Sequence, residues 1–371
     1  MNIFYDHQIF SSQVFGGISR YFYQLISRLN ETGDANARVD VFCSNNYYYH
    51  TLPEASRRYF FKNWNFKGRN RVLEHINRIR SLSTLKEQSF DLFHPTYNNP
   101  YFLDKLGPKP FVITVHDMIH ELYPELPNAT TEAAHKKEMI LNANRIIVPS
   151  KHTKNDILKF YNIDADKICV IYHGSPCISA QNISDKTELP KKYLLFVGQR
   201  SYYKNFTLLL KALGMLKQDF PELYIVCIGG GNLNNQEKLL ANELAISDRL
   251  IQVNLSDAML NSAYKKALAF IFPSEYEGFG IPVLEAFENH CPAILANSSC
   301  FPEIAQDSAL YFTNGNENDL ACKIIDIIKQ PDLREQLISS GKKRAFEFSW
   351  EKTVTQTKEL YMQIVKSRDS D

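Results

Sequence analysis

The chain of 371 residues has no uninterrupted apolar run near the roughly 18 residues that a membrane-spanning helix needs. Its opening segment, MNIFYDHQIF, carries neither a basic stretch nor a long apolar one, so a targeting leader is not expected either. Both absences predict a protein that stays in the cytoplasm. Paired cysteines are missing too. The seven cysteines, at 43, 169, 177, 227, 291, 300 and 322, include no CxxC, and their number is odd. Free thiols in a reducing compartment fit that pattern better than disulfides or structural zinc. There is no repeat and no low-complexity tract. Neither charge dominates: 42 Lys and Arg face 41 Asp and Glu, for a net charge of +1.

What is present is ordinary soluble composition, 44% hydrophobic and 22% charged. The length exceeds what one core usually serves, which predicts two domains. Short apolar, β-branched runs alternate with helical patterns: NIFYD, VDVFC, FDLFH, FVITVHD and RIIVPS, then KYLLFVG, LYIVCIGG, AFIFPS and PAILAN. Such alternation implies an α/β fold of two doubly wound, Rossmann-like parallel sheets, and two facing sheets of this kind would share a cleft at their carboxyl ends. SPCISAQNISDKTELPKK (175–192) is polar, contains prolines and shows no periodicity, which marks a linker. The expected domains are 1–180 and 188–349. In the last segment Trp350, Val354, Leu360, Tyr361 and Ile364 recur at helical spacing, predicting a helix over about 350–371.

The most informative segment is PSEYEGFGIPVLE (273–285). It sets Glu277 and Glu285 eight positions apart around a Gly278-Phe279-Gly280 corner that opens a helical pattern. Amides at such a helix start, with the positive end of its dipole, form a cradle for phosphate, while the two carboxylates can reach different parts of one extended ligand. A sugar nucleotide answers that description. From spacing alone the glutamates could equally be surface charges on a helix.

The surrounding residues decide between these readings. FPSEYEGFGIPVLEAFENHCPAILANSSCFPEIAQDSALYF resembles the E-x7-E region of retaining glycosyltransferases of family 4. The resemblance continues through FVGQRSYYKN (196–205), IIVPSKHTKNDILKFYNIDADKICVIYHG (146–174), TVHDMIH (114–120) and GGISRY (16–21), and so covers nearly the whole chain. It implies the GT-B fold, with the terminal helix crossing back onto the first domain. It also implies that Glu277 contacts donor-sugar hydroxyls, that Glu285 accepts hydrogen bonds from the ribose, and that main-chain N–H groups of Phe279, Gly280 and Ile281 meet the diphosphate. His116 resembles the family's histidine that touches the donor sugar from the opposite domain. Asp117 beside it could bind acceptor hydroxyls or order its loop, and Gly17, with Gly16, would let the main chain approach the ligand.

Glycosyl transfer from a nucleotide diphosphate leaves negative charge on the departing phosphates. Arg200 and Lys204, just after Gly198, are suited to neutralise it. Many relatives place the arginine directly after the glycine, where this chain has Gln199. GGGNLNN (229–235) lacks the GxGxxG spacing of a dinucleotide site and reads as the frame of a base pocket, with Val253 and Asn254. Asp164-Ala165-Asp166 spells a metal-binding DxD but lies where carboxylates commonly cap turns, so no metal is expected.

Charge is uneven along the chain. Residues 57–86 hold nine basic side chains and one acid, interleaved with Tyr59, Phe60, Phe61, Trp64 and Phe66. That mixture suits an anionic membrane surface, or else a solvated face over a buried aromatic cluster. A nucleic-acid groove is not expected, because no further basic tract accompanies it. The resulting expectation is a metal-independent, cofactor-free retaining transferase, peripheral at the inner face of the cytoplasmic membrane. It would move a hexose to a glycan or lipid-linked acceptor in surface polysaccharide assembly. The FVGxRxxYKN form looks closest to mannosyltransferases, which puts GDP-mannose first as donor and UDP-sugars second. The rivals are a sugar-nucleotide epimerase of the same fold and a non-catalytic nucleotide-sugar-binding subunit.

Overall fold

The computed structural model describes residues 1–53, 58–60, 66–175, 188–200 and 202–369. Most of the expected linker, Cys177, and Arg57, Phe61 and Trp64 of the basic stretch lie outside them. The chain divides into two compact units, one of Met1–Gly174 with Ser349–Asp371, the other of Ser175–Phe348.

The first unit contains β1 (Asn2–Tyr5), β2 (Asn36–Val39), β3 (Leu92–His94), β4 (Val112–Thr114), β5 (Arg145–Val148) and β6 (Ile168–Val170). They form two three-stranded parallel sheets, ordered β2-β1-β3 and β4-β5-β6, linked by a single parallel bridge between Phe93 and Phe111. The helix Trp350–Asp369 belongs to this unit. Its Trp350, Val354, Leu360, Tyr361 and Ile364 enter the core that holds Tyr5, Phe22 and Leu25. Burial of each such side chain contributes roughly 1.5–3 kcal/mol. A polar chain pins the helix as well: the Tyr361 hydroxyl meets Tyr5 Oη at 3.0 Å and His94 Nδ1 at 2.5 Å, while His94 Nε2 meets Thr114 Oγ1 at 3.0 Å. Burial drives the His94 imidazole down to about 3, so the ring is neutral in this network. Where the helix begins, a Cβ on Gly174 would stand 2.5 Å from the Trp350 backbone nitrogen, so only glycine fits.

The second unit contains β7 (Tyr193–Val197), β8 (Tyr224–Ile228), β9 (Leu250–Val253), β10 (Ala269–Phe272), β11 (Ala293–Ala296) and β12 (Leu310–Phe312). All pair in parallel, in the order β12-β11-β10-β7-β8-β9. Read from the other edge this is the doubly wound order 3-2-1-4-5-6, whose strand sequence reverses between β7 and β10. Leu194, Leu195, Ile225, Val226, Phe270, Ile271, Ile294 and Leu295 are all fully buried. A sheet covered by helices on both faces requires such uninterrupted apolar runs.

The described part of the basic stretch mixes paired and exposed charge. Phe60 is buried, whereas Tyr59 and Phe66 are exposed. The helix Arg69–Glu87 carries Arg80, which pairs with Asp40 at 2.7 Å, and Arg78, whose guanidinium lies 5.2 Å from the Tyr101 ring centre. Burial pushes the Asp40 carboxyl upward, but hydrogen bonds from Thr84, Arg80 and Arg38 outweigh it and hold the group below the usual range. Arg71, Val72 and Ile79 are exposed. None of the described helices is long and apolar enough to cross a membrane.

Candidate active site

In the second unit, the loops leaving β7 and β10 at the switch point are joined to each other. Glu275 N donates to Tyr203 O at 2.8 Å, and Asn205 Nδ2 to Glu275 Oε1 at 2.9 Å. Across this junction Lys204 Nζ forms an ion pair with Glu277 Oε1. The two side chains retain 15% and 12% exposure, enough for a ligand to reach them. The ammonium also lies 5.2 Å from the ring centre of Tyr203 and 5.4 Å from that of Phe272, low-dielectric neighbours that strengthen its field. Sequence reasoning named both residues but not their pairing, since 73 positions separate them.

The Glu277 backbone is fixed by Ser299, a residue the sequence did not flag. Ser299 Oγ accepts from Glu277 N at 3.0 Å and donates to Glu277 O at 2.6 Å. Ser299 holds φ +54°, a left-handed conformation that costs a non-glycine residue energy and tends to persist at functional sites. Three residues past Glu277, Gly280 adopts φ +85° and opens the helix Ile281–Glu288, whose first turn has no side-chain cap and no acid. That start is open to an anion. On the helix, Glu285 is 5% exposed and accepts from Tyr264 Oη at 3.1 Å. Phe279 is buried and packs on Phe348, 5.7 Å between ring centres.

Gly198, at φ +121°, has open space where a Cβ would stand. Asn254 is exposed and accepts from Gln252 Nε2 at 3.2 Å. Arg200, expected on the diphosphate, is held here by the protein itself. Its guanidinium donates to Glu237 Oε1 at 3.0 Å and to the carbonyls of Gly229, Gly231 and Asn232 at 2.8, 2.8 and 3.0 Å, and its side chain is only 3% exposed. These contacts draw its guanidinium toward the glycine loop, while Lys204 stands at the β7–β10 edge. The spacing of Asn234 and Glu237 is the signal that could have warned of this. Asn-x-x-Glu is a capping box, which the structure forms, and it brings Glu237 back to the start of its helix beside the glycine loop.

The other expected residues lie in the first unit. His116 follows β4, edge-on to Tyr21 at 5.2 Å between ring centres and 5.6 Å from His173. Its Nε2 is buried and makes no hydrogen bond among the described residues. Burial lowers its pKa to about 4, with Asp117 pulling upward and Lys136 downward, so the ring is neutral at ordinary pH. Asp117 orders its loop: Oδ1 accepts from Ile119 N at 3.1 Å, and its carbonyl accepts from Lys136 Nζ at 2.9 Å. Lys136 is itself buried and paired with Glu121 at 2.8 Å. Gly17 begins the helix Gly17–Glu31, which carries Tyr21 against His116. Asp164 Oδ1 accepts from Asp166 N at 2.9 Å, shaping a turn.

Comparison with known proteins follows this division. Residues 15–176 match the model of glycosyltransferase family 4, and residues 179–344 match that of glycosyl transferases group 1. The chain belongs to the GT-B glycosyltransferases. It is 25% identical over 298 residues to O-antigen chain mannosyltransferase B of Escherichia coli, covering 76% of this chain and 77% of that protein. Among solved structures it is similar to sucrose-phosphate synthase from Thermosynechococcus elongatus, with a TM-score of 0.77, 19% identity and 99% of each chain covered. Anabaena HepE in complex with UDP-glucose gives a TM-score of 0.73 at 15% identity, over 98% of this chain and 99% of that one.

Proposed function

We propose that this GT-B glycosyltransferase transfers mannose from GDP-mannose to a glycan or lipid-linked glycan in surface polysaccharide synthesis, with retention of configuration and without a metal. The observation that carries the proposal is the Lys204–Glu277 pair at the strand-order reversal, beside an uncapped helix start. A cation and a carboxylate side by side match a ligand that has a phosphate next to a polyol. The choice of sugar rests on the similarity to an O-antigen mannosyltransferase. In the proposed reaction the bond between the anomeric carbon and the phosphate oxygen breaks as the acceptor oxygen bonds to the same face, and the acceptor's proton passes to the departing phosphate. Lys204 neutralises the charge that collects there. Glu277 accepts hydrogen bonds from sugar hydroxyls, Glu285 from the ribose, and Gly198 lets the main chain come close. Amides at Phe279, Gly280 and Ile281 face the diphosphate.

Thermal denaturation in GDP, UDP and ADP tests the donor. GDP is expected to raise the melting temperature most, since a nucleotide bound only by the folded state stabilises it by mass action. UDP giving the largest shift would move the assignment to a UDP-sugar, the type of ligand seen in HepE, and no shift with any nucleotide would remove the reading.

We also propose that residues 57–86 hold the protein against an anionic membrane at the inner face of the cytoplasmic membrane. Binding to acidic liposomes should weaken as salt rises, because each cation near the surface contributes about 1 kcal/mol. Arg80 supports Asp40, so the informative variant is K67Q/R71Q, at two exposed cations, which is expected to weaken that binding; salt-insensitive binding that survives in it would contradict the surface role.

A further inference from the structure

The buried pair of Arg200 and Glu237 has no part in the chemistry above, yet it organises an entire loop. Both side chains are nearly inaccessible, at 3% and 5% exposure. Besides its bonds to Glu237, Gly229, Gly231 and Asn232, the guanidinium lies 3.3 Å from the carbonyl of Gly230. Four consecutive carbonyl oxygens thus converge on one cation. Glu237 closes the arrangement through its second oxygen, which accepts from Asn234 N at 2.8 Å, while Asn234 Oδ1 accepts from Glu237 N at 2.8 Å. Gly229, Gly230 and Gly231 sit at φ +84°, +71° and +71°, a left-handed run that only glycine adopts readily. Four carbonyl dipoles aimed at one point repel one another unless a cation stands there.

The consequence lies on the opposite side of each peptide. In a planar trans peptide the C=O of one residue and the N–H of the next point in opposite directions. Carbonyls of residues 229–232 drawn inward to Arg200 therefore turn the N–H groups of residues 230–233 outward, and Gly230, Gly231 and Asn232 are exposed. Successive amides aimed one way form a donor surface for oxygen-rich ligands. This loop leaves β8, one strand of roughly 4.8 Å from β7 and on the side away from the Lys204–Glu277 pair. A donor with its diphosphate at the β7–β10 edge would extend its nucleoside over the loop.

We infer that Arg200 and Glu237 are positioning residues that set the loop 229–232 as the surface reading the nucleoside of the donor, and so determine which nucleotide is accepted. The inference rests on the nucleotide-sugar reading proposed above. The test uses the full chain as wild type, R200K, E237Q and G230A, with binding of GDP and of UDP measured by calorimetry, folding checked by circular dichroism, and steady-state kinetics measured in the donor. G230A keeps both charges but places a methyl 2.9 Å from Arg200 Nη1 and from the Gly198 carbonyl, at a positive φ. It disturbs the loop by an independent route. Each variant is expected to bind the preferred nucleotide about 10-fold or more weakly, given the hydrogen bonds lost to a charged group. Preference between the two nucleotides should narrow, and KM for the donor should rise by a larger factor than kcat falls. If R200K and E237Q bind both nucleotides like the wild type but lose kcat, Arg200 acts on the leaving diphosphate and the inference is overturned. Wild-type selectivity in folded G230A overturns it too, since the loop then reads nothing. Wild type that binds neither nucleotide removes the donor reading itself, whereas nucleotide-binding wild type with indifferent variants removes the latch alone.

Discussion

Replacing Lys204 with alanine is expected to lower kcat about 100-fold or more, while the dissociation constant for the bare nucleotide changes by a much smaller factor. The leaving diphosphate gains charge only as the glycosidic bond breaks, so a fixed ammonium beside it contributes more in the transition state than in the ground state. Lys204 is already placed for this by its pair with Glu277 and its aromatic neighbours, and little reorganisation would be needed. Stopped turnover and nucleotide calorimetry on the same preparation check the split. Equal losses in binding and turnover would show that Lys204 merely holds the substrate.

Glu277→Gln is expected to lower kcat/KM for transfer by about 100-fold, with bare nucleotide binding nearly retained. Two hydrogen bonds from sugar hydroxyls to a carboxylate contribute on the order of 1.5–3 kcal/mol each, and an amide oxygen replaces them poorly. Because Glu277 touches Lys204, the double variant K204A/E277Q should lose less than the product of the two single losses: each single change strands a part-buried charge that the double change removes. Strict additivity in kcat/KM would mean that the pair does not function as a unit.

Much of the fold is written locally. AFIFPS and KYLLFVG read as buried parallel strands because each is apolar without alternation, and β10 and β7 are those strands. Gly198 and Gly280 announce themselves because the chain needs φ of +121° and +85° there. What could not be read is pairing across sequence distance. Nothing near Arg200 reveals that Glu237, 37 positions on, will take its guanidinium. Nothing in SSCF reveals that the Ser299 hydroxyl will bridge both backbone groups of Glu277. The buried Lys136–Glu121 pair beneath Asp117 was likewise invisible, because charged residues in amphipathic helices ordinarily face solvent. Residue type and a preceding strand place a side chain at the right edge of a sheet; only packing decides whether its charge faces a ligand or the protein.

The most direct measurement is the anomeric configuration of the first product. The protein would be incubated with GDP-α-mannose and a mannose-terminated oligosaccharide in excess EDTA, and the new anomeric signal followed by NMR before any secondary reaction. An α-linked mannoside formed at an undiminished rate is the predicted result. A β-linked product, epimerised donor without transfer, or activity that vanishes in EDTA and returns with manganese would contradict it.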